Sequence, residues 1–100
     1  MRVIALKILR TFWEKHRDAE PPLRAWHTVA RQGSFPDFAT LKATFGSADM
    51  AGIYTVFDIG GNKYRLVAHI HHNTQRLYVR WILTHKEYDQ WTQQLRQGKV

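Results

Sequence analysis

Along 63–72, the side chains able to do chemistry fall on alternate positions: Lys63, Arg65, His69 and His71, with Val67 among them. Along 76–83, Arg76, Tyr78 and Arg80 do the same, followed by Ile82. Successive side chains of a strand point to opposite faces, so if both runs are extended each set shares one face. Guanidinium and ammonium groups neutralise phosphate, a phenol ring offers a plane to a base, and imidazoles exchange protons near neutral pH. Together on one sheet face they are equipment for handling nucleic acid, which a merely solvated face does not need to combine. The bland alternative is an exposed antiparallel face that is basic by chance.

A second device follows in the chain. His85 and Lys86 fall in the first turn of a closing helix, where unpaired N–H groups and about half a positive charge favour an anionic phosphate. Cations there oppose the helix dipole at a cost of roughly 0.3–1 kcal/mol. They are either an incidental exposed cap or a position kept for use.

The elements that must hold these residues can be read from spacing. Residues 2–5 form a short opening strand. Leu6, Leu9, Phe12, Trp13 and His16 recur at helical intervals, with Lys7, Arg10, Glu14, Lys15 and Arg17 mostly on the other side, which predicts an amphipathic helix over 6–17. Pro21-Pro22 opens the next helix, 22–32, with Leu23, Trp26, His27 and Ala30 inward and Gly33 as a left-handed stop. Phe35, Phe38, Leu41 and Phe45 predict a helical turn or two over a core edge.

Residues 52–59 and 63–72 are rich in strand formers around Gly60-Gly61-Asn62, a hairpin signature. Asn73-Thr74-Gln75 turns the chain into a third strand, 76–83. Its inward set is Leu77, Val79, Trp81 and Leu83, facing Tyr64, Leu66, Ala68 and Ile70. Thr84 with Glu87 makes a capping box for a helix over 85–96. The expected fold is α+β: an N-terminal strand and helices on one face of a small antiparallel sheet, closed by a C-terminal helix.

Composition narrows the classes. The 100 residues are enough for one domain, 1–100, and the 44% hydrophobic content excludes disorder. With no cysteine there is no disulfide framework and no thiolate nucleophile, the usage of a reducing compartment, so the cytoplasm is the expected address. The apolar stretch Val3 to Leu6 is far short of the roughly 18 residues that span a bilayer, and no membrane partner is expected. The net charge is +7, divided as +2 over residues 1–58 and +5 over 59–100. A positive surface concentrated in the C-terminal part attracts a polyanion and speeds encounter with it.

The run Gly60-Gly61-Asn62-Lys63-Tyr64-Arg65, then Tyr78-Val79-Arg80, then Thr84-His85-Lys86-Glu87-Tyr88-Asp89 resembles the C-terminal half of the HigB toxins, members of the RelE-like superfamily of bacterial toxin–antitoxin systems. Length, basic charge and element order agree with that resemblance. It implies a RelE-like domain acting as a ribosome-dependent endoribonuclease (mRNA interferase) that cuts translated mRNA. It implies as partners the ribosome and mRNA, and a HigA-type helix-turn-helix antitoxin through which alone the complex would meet operator DNA. It implies no cofactor.

Metal-independent RNA cleavage uses the substrate's own 2′-hydroxyl as nucleophile. The protein must take that proton, stabilise the extra charge on phosphorus and protonate the departing 5′-oxygen. Arg65 and Arg80, on adjacent strands and one face, are expected to converge on a single phosphate. His85 is the first candidate for acid–base work and Lys86 for charge stabilisation or assistance to proton transfer. Tyr88 either stacks a base or donates a proton, or joins the core through its helical spacing with Trp91 and Leu95. Tyr78 is the expected stacking platform, with Lys63, His69 and Arg76 as further RNA contacts.

Three rival readings stand beside this one. His69, His71 and His72 raise a metal site, but two histidines on one strand face need further ligands and no acidic partner lies nearby in sequence, so none is expected. A non-catalytic RNA- or ribosome-binding module would use the same basic face. A membrane-surface helix at 6–17 would need Phe12 and Trp13 outward, where core packing is the simpler role.

Overall fold

Alternation of apolar and polar residues builds the elements, and their order brings both candidate strands to the middle of one sheet. Strand β1 is Arg2–Ile4 and helix α1 Leu6–Lys15, with Leu9 and Trp13 buried. A single 3-10 turn, Arg17–Ala19, leads into α2, Glu20–Gln32, which carries its prolines in the first turn, where their missing N–H groups have no helical partner. Helix α3, Phe38–Thr44, is capped by Asp37, whose carboxylate accepts from the Thr40 N–H at 2.8 Å. Then come β2, Asp49–Ala51; β3, Tyr54–Ile59; β4, Tyr64–His71; β5, Arg76–Thr84; and α4, His85–Arg96. This computed structural model describes residues 1–100 and, of Leu6, only the backbone.

The fold is α+β as expected, with two additions to the sheet. Its order is β1-β5-β4-β3-β2, and β1 runs parallel to β5, pairing Arg2 with Arg76, Val3 with Leu77 and Ile4 with Tyr78. The sheet is therefore mixed rather than purely antiparallel. Strand β2, which carries no hydrophobic run of its own, adds the other edge.

Helices α1 to α3 lie on one face, burying Leu9, Trp13, Leu23, Trp26 and Leu41 with Phe57, Leu66 and Leu77. Helix α4 lies on the opposite face, where Trp91 packs on Val56 and Val67 with Tyr54, Trp81, Leu83, Tyr88 and Leu95 around it. The helices are thus not all on one side. α4 is short on apolar residues, but Tyr88, Trp91 and Leu95 make the stripe that packs on the second face.

Two turn details depart from expectation or explain it. Gly33 ends α2 in extended backbone (φ −85°), not as a left-handed stop; a Cβ there would stand 2.2 Å from the Phe35 ring, so the absent side chain serves close packing. Gln75 holds a positive φ of 54° without being glycine. Its amide offsets that strain by accepting from the Phe35 N–H at 3.0 Å and donating to the Phe35 and His72 carbonyls at 2.8 Å each, which ties the β4–β5 turn to the loop after α2.

Candidate active site

Strand β4 has the predicted alternation. Leu66, Ala68 and Ile70 face the α1–α3 layer, and Arg65, Val67, His69 and His71 the other side. In β5 the alternation breaks. Val67 pairs with Trp81 but Ala68 pairs with Val79, so Arg80 is the extra residue of a β-bulge. One inserted residue reverses every later side chain. Leu77 and Val79 face the helical core as expected, but Trp81 and Leu83 turn to the second face and Ile82, expected outside, is buried in the helical core. That correction was invisible in the sequence because the run 76–83 has strand formers on both phases.

The second face divides into two groups with α4 between them. At the head of α4 sits Arg65, opposite Leu83, its side chain only 13% exposed. Its Nε is 3.1 Å from Asp58 Oδ1, its Nη1 donates to the Asn62 and Tyr64 carbonyls at 3.3 Å each, and its Nη2 donates to the Asn62 side-chain oxygen. The Tyr88 ring lies over the guanidinium at 5.5 Å and stacks on Trp91 at 5.8 Å. Burial pushes the Tyr88 phenol above its ordinary pKa, against the pull of the Arg65 charge. Arg65 is therefore a fixed cation whose donors are engaged by protein oxygens.

The second group lies beyond α4. Arg80 is exposed, with its guanidinium 5.8 Å from the Tyr78 ring. His69 pairs across the ladder with Tyr78, sits 4.6 Å from His71 and meets the edge of Tyr54 at 6.1 Å. Burial, and then the His71 and Arg80 charges, hold the His69 pKa below the ordinary imidazole value. His71 packs edge-on to Tyr78 at 5.7 Å, and Arg76, opposite His71, extends the cationic strip to Arg2 on β1.

Arg65 and Arg80 share the face but do not converge. About two to three ladder positions separate them, roughly 7–10 Å at about 3.3 Å per residue. In addition, Arg65 is drawn toward β3 by Asp58, away from β5.

At the start of α4 the capping box is complete: the Thr84 N–H donates to Glu87 Oε1 at 2.9 Å and the Glu87 N–H to Thr84 Oγ1 at 3.2 Å. His85 is exposed, with Nδ1 3.6 Å from Asp89 Oδ2, and Lys86 is exposed beside it. Lys63 is elsewhere. Its ammonium binds Asp18 at 2.6 Å, next to the Tyr64 hydroxyl that donates to the same carboxylate, so it serves the junction of α1 and α2.

Several residues of this face went unread in the sequence. Asp58 was reachable, because counting back from Gly60-Gly61 places it opposite Arg65. Asn62 was read only as a turn residue, and nothing local marked Trp81 or Tyr54. His72 turns away from His69 and His71, with Nδ1 2.8 Å from the Phe35 carbonyl oxygen. Among the described residues no group of three or more His, Asp or Glu side chains could hold a metal ion. No helix among them is long and apolar enough to cross a membrane.

Known proteins resemble this chain in sequence. The family model described as HigB_toxin, RelE-like toxic component of a toxin-antitoxin system, matches residues 19–91. The mRNA interferase toxin HigB of Escherichia coli strain K12 is 36% identical over 95 residues, covering 92% of this chain and 91% of that protein. The mRNA interferase HigB of Escherichia coli O6:H1 is 32% identical over 81 residues, covering 75% and 79%. With the family model spanning β3, β4, β5 and the head of α4, this chain belongs to the HigB family of RelE-like toxins of toxin–antitoxin systems.

Proposed function

We propose that this toxin is an mRNA interferase, a metal-independent endoribonuclease that cleaves mRNA on the translating ribosome in the cytoplasm and is neutralised by a HigA-type helix-turn-helix antitoxin. Operator DNA is met only through that antitoxin. The observation that carries the reading is the second sheet face, where a free guanidinium (Arg80), a half-covered imidazole (His69), an aromatic plane (Tyr78) and a fixed cation under Tyr88 (Arg65) stand on one surface. Two relatives named as mRNA interferases support it.

In this reading the substrate 2′-oxygen loses its proton to an imidazole and attacks phosphorus. The P–O5′ bond breaks, the 5′-oxygen takes a proton, and a 2′,3′-cyclic phosphate remains. Arg80, exposed and unbridged, holds the phosphate and its developing charge. Arg65 contributes a preorganised field and positions Tyr88, and Lys86 adds charge at the helix head. His85 is accessible for proton transfer. The depressed pKa of His69 keeps it neutral, as a base must be, beside Arg80. Tyr78 and Arg76 receive base and backbone.

Ribosome dependence is supported by a second cationic surface across the sheet. Arg10, Arg24, His27 and Arg31 line a cleft of about 340 Å³ between α1 and α2. A protein basic on both sides is suited to lie between two RNA strands.

The test is incubation of the purified toxin with translating ribosomes and mapping of mRNA ends. New 5′ ends that require translation are expected. Binding without new ends would replace this reading with the non-catalytic ribosome-binding module.

A further inference from the structure

The bulge in β5 brings two consecutive residues to one side of the sheet. Regular pleating would set Arg80 and Trp81 on opposite faces. Because Arg80 is the extra residue, its guanidinium stands 5.8 Å from the Tyr78 ring, while Trp81, paired with Val67, also faces the α4 side. Bulges re-aim side chains in this way and are frequent beside active sites. A cation next to an aromatic plane matches the phosphate and base of one nucleotide, which are neighbours in the same sense.

Trp81 does not stand alone. Its ring meets the edge of Tyr54, on β3, at 5.4 Å, and both rest on the buried Trp91, each 5.7 Å from it. Tyr54 in turn reaches His69 at 6.1 Å, so this aromatic step ends at the imidazole. Both rings are half-buried, and held from behind by Trp91 they have little freedom left to lose when a base is laid on them. Among the described residues neither the Trp81 indole N–H nor the Tyr54 hydroxyl has a protein hydrogen-bond partner, and neither is enclosed as the Trp91 indole N–H is.

We propose that Tyr54 and Trp81 select the base at the cleavage site: the unstacked RNA base that adjoins the scissile phosphate lies on these two rings, with an acceptor on its edge toward the Trp81 indole N–H. The inference rests on the nuclease reading, to which it adds the residues that read sequence. Arg80 holds the phosphate one residue away along the strand, and Tyr78, across β4 from Tyr54, takes a second base. Stacking alone tolerates every base, since each has a π-face, whereas a donor at a fixed place distinguishes bases by where their acceptors lie. A base with no acceptor at that point leaves the indole N–H covered and unpaired.

Two measurements test it. The first titrates the free toxin with homotrinucleotides of each base in turn, built on 2′-deoxyribose so that they cannot be cut, and follows the indole N–H resonances. Trp81 is expected to shift, while Trp13 and Trp26, in the helical layer across the sheet, stay in place. The second maps mRNA ends produced on translating ribosomes by the parent, by Trp81→Phe and by Tyr54→Phe, which keep an aromatic ring and remove one polar tip each. The preference at the base next to the cut is expected to fall about three- to tenfold, the scale of one neutral hydrogen bond, and chiefly through KM. Leu95→Ala, which thins the same layer beside Gly52, should keep the parent's preference and so controls for a merely structural effect. An unmoved Trp81 resonance, an unchanged preference in both aromatic variants, or an equal loss in Leu95→Ala overturns the proposal while the toxin still cleaves. A shifted Trp81 resonance with no cleavage by the parent overturns the nuclease reading instead and leaves the base-binding step standing.

Discussion

Arg65 lies beneath Tyr88, 5.5 Å from its ring, while its Nε is held 3.1 Å from Asp58. This contact joins the β3–β4 hairpin to the head of α4, bringing two parts of the chain that carry the family resemblance into one structure. It also makes Arg65 unlike Arg80. One guanidinium is built into the fold, and the other stands exposed beside Tyr78.

Arg65→Ala is expected to lower stability by about 1–3 kcal/mol, because it leaves the half-buried Asp58 carboxylate without its charged donor. Asp58→Ala should cost a similar amount, and the double variant less than the sum. Urea denaturation of the four proteins measures this; strict additivity would mean that the pair is not energetically coupled.

Arg80→Ala should behave in the opposite manner. Stability stays within about 0.5 kcal/mol of the parent, as for an exposed side chain, while cleavage falls by about 10²–10³ if the guanidinium stabilises transition-state charge. Mapping mRNA ends with equal amounts of the two proteins decides it. Full cleavage by the variant removes Arg80 from the site.

Folding stability should fall as pH drops below about 6.5. His69 and His27 both have folded pKa values below the ordinary imidazole value, His69 through burial and then His71 and Arg80, His27 through burial and then Arg31. The unfolded chain therefore takes up these protons first. Their contribution is complete above the unfolded pKa and is lost as pH falls from there through the folded values. Denaturation midpoints between pH 7.5 and 5 should decline in the parent and decline less in His69→Gln with His27→Gln; an identical decline in both would assign the effect to other groups.

Trp91→Ala should destabilise by about 3–5 kcal/mol, the range for removing a buried aromatic side chain. It supports the second face by packing Val56 and Val67 under α4. Loss of α4 packing would also release Tyr88 from its stack, so tryptophan and tyrosine fluorescence should change together with the thermal midpoint.

Association with ribosomes should weaken steeply with salt, by about 0.7–0.9 log units per log unit of salt for each phosphate contacted. Arg10→Ala with Arg31→Ala should reduce that slope if the α1–α2 cleft meets RNA. An unchanged slope would confine the electrostatic contact to the sheet face.

The order of the longer elements, the capping box of α4 and the hairpin glycines could be read directly from the chain, whereas β2 and the Asp37 cap of α3 were not. What was legible depends on residues a few positions apart: Thr84 with Glu87, Gly60 with Gly61. The alternation of β4 was legible for the same reason, and with it the common face of Arg65, His69 and His71. Local chemistry and strict periodicity act over that range, so composition and spacing determined a basic α+β protein with a cationic, aromatic sheet surface.

Packing decided the rest. Whether Trp81 belongs to the helical core or to the α4 layer depends on a one-residue bulge that only pairing with β4 creates. Lys63 leaves the face because Asp18, 45 positions earlier, offers it a carboxylate. β1 joins β5 across more than seventy residues, and α4 crosses to the uncovered side because Trp91 finds Val56 and Val67 there. These are contacts between distant segments, whose free energies exist only when the surfaces meet; no local pattern encodes them, and together they determine which arginine is anchored and which is exposed.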